Sequence, residues 1–242
     1  MFKSYSRYND DLVKQTISGN LTVQAGGDID DADALTVSGT TTITGGGAVK
    51  FNNDDGSDYT GPVNINADGA IILKDENSIE LGTITTTGTF ALTASRTTTG
   101  TVTQSGTIEV ANRTTINNSG GDVTLNDENN DFGNGSNTND VRVTGANVSI
   151  KNSDILELGV STVTGTYTVT ASGPITDSGT LEITGVATIA AGSSNNIELD
   201  HATNNFAAAV KISSGNDVEI NDEDAIILGE STVSGTYKVT AG

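Results

Sequence analysis

Apolar and polar residues alternate along most of this chain in short, evenly spaced runs. In the segment 19–26, GNLTVQAG, Leu21, Val23 and Ala25 alternate with Thr22 and Gln24. The segments 88–95 (GTFALTAS), 165–172 (GTYTVTAS) and 235–242 (GTYKVTAG) repeat the phrase with Phe90, Tyr167 and Tyr237 at its head. A period of two is the signature of a strand with one buried face. Thr fills most of the polar positions and suits a pleated surface through its β-branch. Further apolar dyads follow at short intervals: Leu35/Val37, Val49/Phe51, Val63/Ile65, Ile71/Leu73 and Ile79/Leu81. Gly, Asn, Asp and Ser separate them and mark turns. No stretch keeps apolar residues at helical spacing, so the pattern predicts an all-β chain.

The runs also return at long range. Leu21, Phe90, Tyr167 and Tyr237 step by 69, 77 and 70. Ile43, Ile116 and Ile189 step by 73 and 73, and Val49, Val123 and Ile197 by 74 and 74. Leu81, Leu158 and Leu228 each precede a glycine. The chain therefore reads as three copies of one block, about 16–85, 86–162 and 163–242, behind an off-pattern segment 1–15 that could cap, link or dock. Recurrence at this period is the mark of a repeat architecture. Like residues stacking turn on turn favour a β-solenoid over a sandwich or barrel. At roughly 20–25 residues per three-strand turn, each block makes about three turns. The expectation is that Phe90, Tyr167 and Tyr237 stack as a ladder in one interior.

Composition narrows the function classes. Among 242 residues, 11 are Lys or Arg and 31 are Asp or Glu, a formal charge of −20. That field repels nucleic acid and anionic membrane surfaces. No apolar run is long enough for a membrane helix. Cysteine is absent, which removes thiol catalysis and thiolate metal sites and fits secreted bacterial proteins built without disulfides.

The cadence TVTASGPITDSGTLEITGVATIAAGSSNNIELDHATNNFAAAV (168–210), followed by VEINDEDAIILGESTVSGTYKVTAG (218–242), resembles the repeat regions of filamentous-haemagglutinin-like and related giant β-strand-repeat bacterial exoproteins. The resemblance spans roughly residues 16–242. It implies a right-handed parallel β-helix, and a stiff extracellular or cell-surface shaft of an adhesin.

Acidic turns recur between the strands. In LNDENNDFGNG (125–135), Asp127, Asn129 and Asp131 alternate like hard oxygen ligands for calcium. Gly133 falls one place late for an EF-hand loop, and Thr138 occupies the position of its last, bidentate ligand. Solvated turns are the competing reading. His201 is the only histidine and has no zinc-binding company. Paired carboxylates allow a carbohydrate-active β-helix, but Lys74, Arg96, Arg113, Arg142, Lys151 and Lys211 read as scattered, and no aromatic sugar platform stands out. Thr-rich runs at 40–44, 83–89 and 96–103 would form an outer hydroxyl face. The expectation is a non-catalytic rod segment without a cofactor. Its partners are neighbouring solenoid segments or identical subunits end to end, with a surface receptor beyond them. A self-assembling filament subunit is the alternative.

Overall fold

The computed structural model describes residues 2–6, 10–52, 56–94, 100–133, 135–136 and 139–242. The described residues contain no helix. Parallel strands wind into a single β-solenoid of about 11 turns. Two broad sheets face each other across one core. The front sheet runs from Phe2–Ser6 through Leu21–Ala25, Thr41–Gly45 and Val63–Ala67 to Ile227–Leu228. The back sheet runs from Asp10–Leu12 through Ile29–Asp31 and Val49–Phe51 to Tyr237–Ala241. Strands pair parallel and in register, as in Leu21↔Thr41↔Val63 and Val148↔Tyr167↔Ala187↔Val210.

The alternation in sequence becomes an alternation in burial. Leu21, Val23 and Ala25 point inward, while Gln24 faces solvent. The inward residues join one continuous apolar core from Leu12 to Ile220. Each buried Val, Leu or Ile contributes about 1.5–3 kcal/mol. The turns explain the abundance of Asn and Asp. The Asn20 side chain accepts the Thr40 N–H at 3.0 Å, one turn later. Asp28 does the same for Ala48, Asn147 for Thr166 and Asp217 for Thr236. A turn carboxylate thus accepts a backbone N–H of the next turn, which ties the acidic composition to the stacking.

The three-turn estimate needs correction. From Leu21, three pairings lead to Thr41, Val63 and Leu81 in the front sheet, and a further half turn places Phe90 in the back sheet. Each repeat therefore makes three and a half turns. The expected ladder of Phe90, Tyr167 and Tyr237 does not form: they lie in the back, front and back sheets respectively. Every other repeat position alternates likewise, including Ile43 front, Ile116 back and Ile189 front. The cause is turn length. One turn is short, from Val63 to Leu81, and another is longer, from Val123 to Val148. The repeat, which carries Ile43 to Ile116 and Val49 to Val123, does not close on a whole number of such turns.

A short third strand closes one edge of most turns and changes edges with every repeat. In the first repeat Gln15–Ile17, Leu35–Val37 and Asp58–Tyr59 form this edge stack, on the path from back to front. In the second, Ile108–Val110 and Asp131–Phe132 lie on the path from front to back. In the third, Ser161–Val163, Leu181–Ile183 and Asn205–Phe206 return to the original path. A new stack begins where one strand is covered by two. Ile79–Thr86 pairs with both Val102–Gln104 and Ile108–Val110, and Val141–Gly145 pairs with both Leu156–Leu158 and Ser161–Val163.

Candidate functional site

The outer faces carry the exposed chemistry. On the front sheet, Glu80 is in register with Thr103, and Thr124, Ser149, Thr168, Thr188 and Lys211 follow one another across consecutive turns. These are two rows, Glu80–Thr103 and Thr124 to Lys211. Between them, Val102–Gln104 and Val123–Leu125 pair only at Val102↔Val123 and then diverge. The divergence opens a cleft of about 470 Å³ lined by Thr103, Gln104, Ser105, Thr124, Asn126 and Asp127. Neither aromatic nor basic side chains line it. The Thr-rich run at 96–103 lies partly outside the described residues, and Arg96 lies wholly outside them.

Asp127 and Asn129 share one turn, and Asp131 stands in the edge strand that follows it. Asp127 Oδ1 accepts the backbone N–H of Asn129 at 2.9 Å and its side-chain Nδ2 at 3.1 Å, which stabilises the turn itself. Asp131 lies in the edge strand, in register with Glu109. Thr138 is outside the described residues. Among the described residues, no three acidic or histidine side chains are grouped to hold a metal ion. His201 sits in a turn, where its backbone N–H donates to Asp177 Oδ1 at 3.3 Å.

The basic residues are less scattered than their sequence positions imply. Arg113 and Arg142 meet on Asp140, with Nε–O distances of 2.5 and 2.6 Å. Burial alone would raise the Asp140 carboxyl, but the two guanidinium groups hold it below the usual carboxylate range. The side chains of Arg113 and Arg142 remain 49% and 39% exposed. Lys238 pairs with Glu219 on the back sheet at 2.5 Å.

A polar arrangement that recurs once per repeat is largely buried, with Gln104 and Asp177 half-buried. At the end of each edge stack, four residues recur at matching places: Asp31, Ser57, Tyr59 and Asp75; Gln104, Asn130, Phe132 and Asn152; Asp177, Asn204, Phe206 and Asp222. The second member accepts a backbone N–H from the preceding edge strand. Ser57 accepts from Leu35, Asn130 from Ile108 and Asn204 from Leu181, at 3.1, 3.0 and 2.9 Å. The fourth member accepts the N–H of the aromatic residue. Asp75 accepts from Tyr59, Asn152 from Phe132 and Asp222 from Phe206, at 2.9, 2.8 and 3.3 Å. Side chains thereby satisfy amides that have no further strand to pair with, as buried backbone groups require.

The first member varies the chemistry. Gln104 and Asn130 form a reciprocal carboxamide pair, with both contacts 2.9 Å. Asp177 Oδ2 accepts Asn204 Nδ2 at 2.6 Å. Burial pushes the Asp177 carboxyl up, against hydrogen bonds from Asn204, His201 and Asp200. Asn130 belongs to the run read from sequence as a solvated acidic turn, yet it is fully buried. Sequence reasoning missed these tetrads because Ser57, Asn130 and Asn204 look like ordinary turn residues. Their recurrence in step with the strands is the signal that finds them.

The chain has no match among curated proteins or among solved structures. A family profile described as repeats of unknown function, DUF5649, matches residues 8–66, 68–139 and 145–213, three successive copies in agreement with the threefold recurrence of strands and tetrads. The chain belongs to this family of repeats.

Proposed function

We propose that the chain is a non-catalytic shaft segment that sets a fixed distance between the structures at its two ends. The observation that carries this reading is the single uninterrupted core, around which successive turns add parallel strands at about 4.8 Å each. Polar side chains cover both outer faces, and backbone bonding between turns gives stiffness along the axis. About 11 turns correspond to a rod of roughly 50 Å at that spacing. The acidic, cysteine-free composition and the likeness to filamentous-haemagglutinin-like exoproteins support an extracellular or cell-surface setting, as the stalk of an adhesin. Electron microscopy and small-angle scattering of the purified chain test the shaft, which requires a rod of this length; a compact particle overturns it. Antibody labelling of intact cells tests the location.

A further inference from the structure

Four cations of this acidic chain share one stretch of the back sheet's outer face. Lys50 is in register with Ile72, Ala91, Thr115 and Arg142 over consecutive turns. The row beside it runs Lys74, Thr93, Asn117 and Thr144. Arg113 enters the strand Thr114–Asn117 on the other side. Four steps of strand spacing separate Lys50 from Arg142, about 19 Å. Against these cations the same stretch sets one carboxylate, Asp140, which is buried. Asp140 takes the Nε of each arginine, and among the described residues neither guanidinium makes a further hydrogen bond or ion pair. Their Nη donors are thus uncommitted on half-exposed side chains, while the Nε side is fixed. A guanidinium fork held in this way suits a planar carboxylate. Acids mark the limits of the strip. Asp30 is in register with Lys50 at one end, and Glu157, mostly buried, occupies the turn after Asp140 at the other. Asp68 and Glu76 stand in the flanking turns, and Asp54, Asp55 and Arg96 lie outside the described residues.

We propose that this strip docks a linear acidic polysaccharide, a chain of uronate type, with carboxylates on the Arg113–Arg142 pair and on Lys50 and sugar hydroxyls on the turns between. Cations that outnumber acids on one face of a molecule of formal charge −20 are complementary to an anion and select it by charge. The turns between Lys50 and Arg142 are uncharged along their row, and Thr93, Thr115 and Asn117 offer polar groups beside it. A ligand that alternates carboxylates with hydroxyls matches that order. A peptide is a poorer fit, since it docks by extending a strand edge or filling an apolar groove, and the strands of this stretch are paired on both sides. Duplex nucleic acid carries a charge every 1.7 Å or so, far denser than the strip, and single strands stack on aromatic side chains, which the strip does not have. The inference concerns the face and not the length of the molecule, so it stands or falls apart from the shaft role.

Calorimetric titration of the full chain with polygalacturonate at low salt tests the strip. Binding should be measurable and should weaken as salt is added, and neutral dextran should give no heat. Lys50→Gln and Ala91→Glu should each weaken binding about fivefold, as the loss or reversal of one screened charge contact implies. Both positions face outward between buried neighbours, so the core is untouched. Lys211→Gln, on the front sheet, should bind like the wild type. The proposal is overturned if polygalacturonate does not bind, if dextran binds equally, or if Lys211→Gln weakens binding as much as Lys50→Gln. It is also overturned if poly-glutamate or duplex DNA binds as tightly as polygalacturonate, which would show that charge alone is recognised and not a glycan.

Discussion

Gly159 lies so close to Asp140 that a Cβ at 159 would overlap the Asp140 carboxylate. Asp140 cannot easily give way, because Arg113 and Arg142 hold it from both sides. The same station in the other repeats presses Gly82 on the Asn64 amide and Gly229 on the Lys211 stem. The recurrent Leu-Gly pair is thus a requirement for close approach, at the point where one strand gives rise to two.

Gly159→Ala is accordingly expected to cost about 1–3 kcal/mol, the usual range for overpacking. Gly229→Ala should cost less, since the flexible Lys211 stem can move aside. Urea unfolding of the two variants checks the order.

Thr41 and Thr114 are fully buried with hydroxyls that find no partner, and Ala187 fills the matching place in the third repeat. Thr114→Val should therefore stabilise the chain by about 1 kcal/mol, because an unpaired buried hydroxyl carries a desolvation penalty. A higher Tm by calorimetry is the expected outcome.

Asn130→Ala removes the acceptor of the Ile108 N–H and the partner of Gln104 together. Leaving these groups buried and unpaired should cost about 2–4 kcal/mol. Exchange protection should fall first at Ile108, which distinguishes loss of the strand closure from general weakening.

The Asp140 cluster gives stability a defined pH response. A carboxyl held below its ordinary value contributes stability above that value and loses it as pH falls through the lowered one. Asp140→Asn should thus cost about 1 kcal/mol at pH 7, modest because both arginines are partly solvated. The deficit should shrink as the pH falls through the lowered Asp140 value. Asp177 has the opposite sign. Its raised carboxyl contributes stability below the ordinary value and loses it as pH rises through the raised one, so Asp177→Asn should flatten the fall in stability from pH 4 towards neutrality. Denaturation curves at several pH values measure both.

The strands, the turns and the parallel solenoid were legible in the sequence, because period-two alternation and a long recurrence are local and repetitive signals. The sheet to which each strand belongs was not. Phe90 and Tyr167 occupy the same repeat position and are both buried, so their pattern is identical in either sheet. Only the length of chain in each turn separates the two, and it varies with the loops. The tetrads were hidden for a different reason. Burial of Asn130 depends on Gln104, a full turn earlier in the chain, which a reading of the local turn does not include. The pairing of Arg113 with Arg142 through Asp140 is likewise a product of the winding.

The half turn in each repeat governs how the outside of the molecule is presented. Any feature borne once per repeat points to opposite flanks in succession. A partner approaching from one direction meets only alternate copies, about 34 Å apart for seven turns. The valency available to a flat surface is therefore half the number of repeats, and adding one repeat turns the distal end about the long axis by 180° as well as moving it outward.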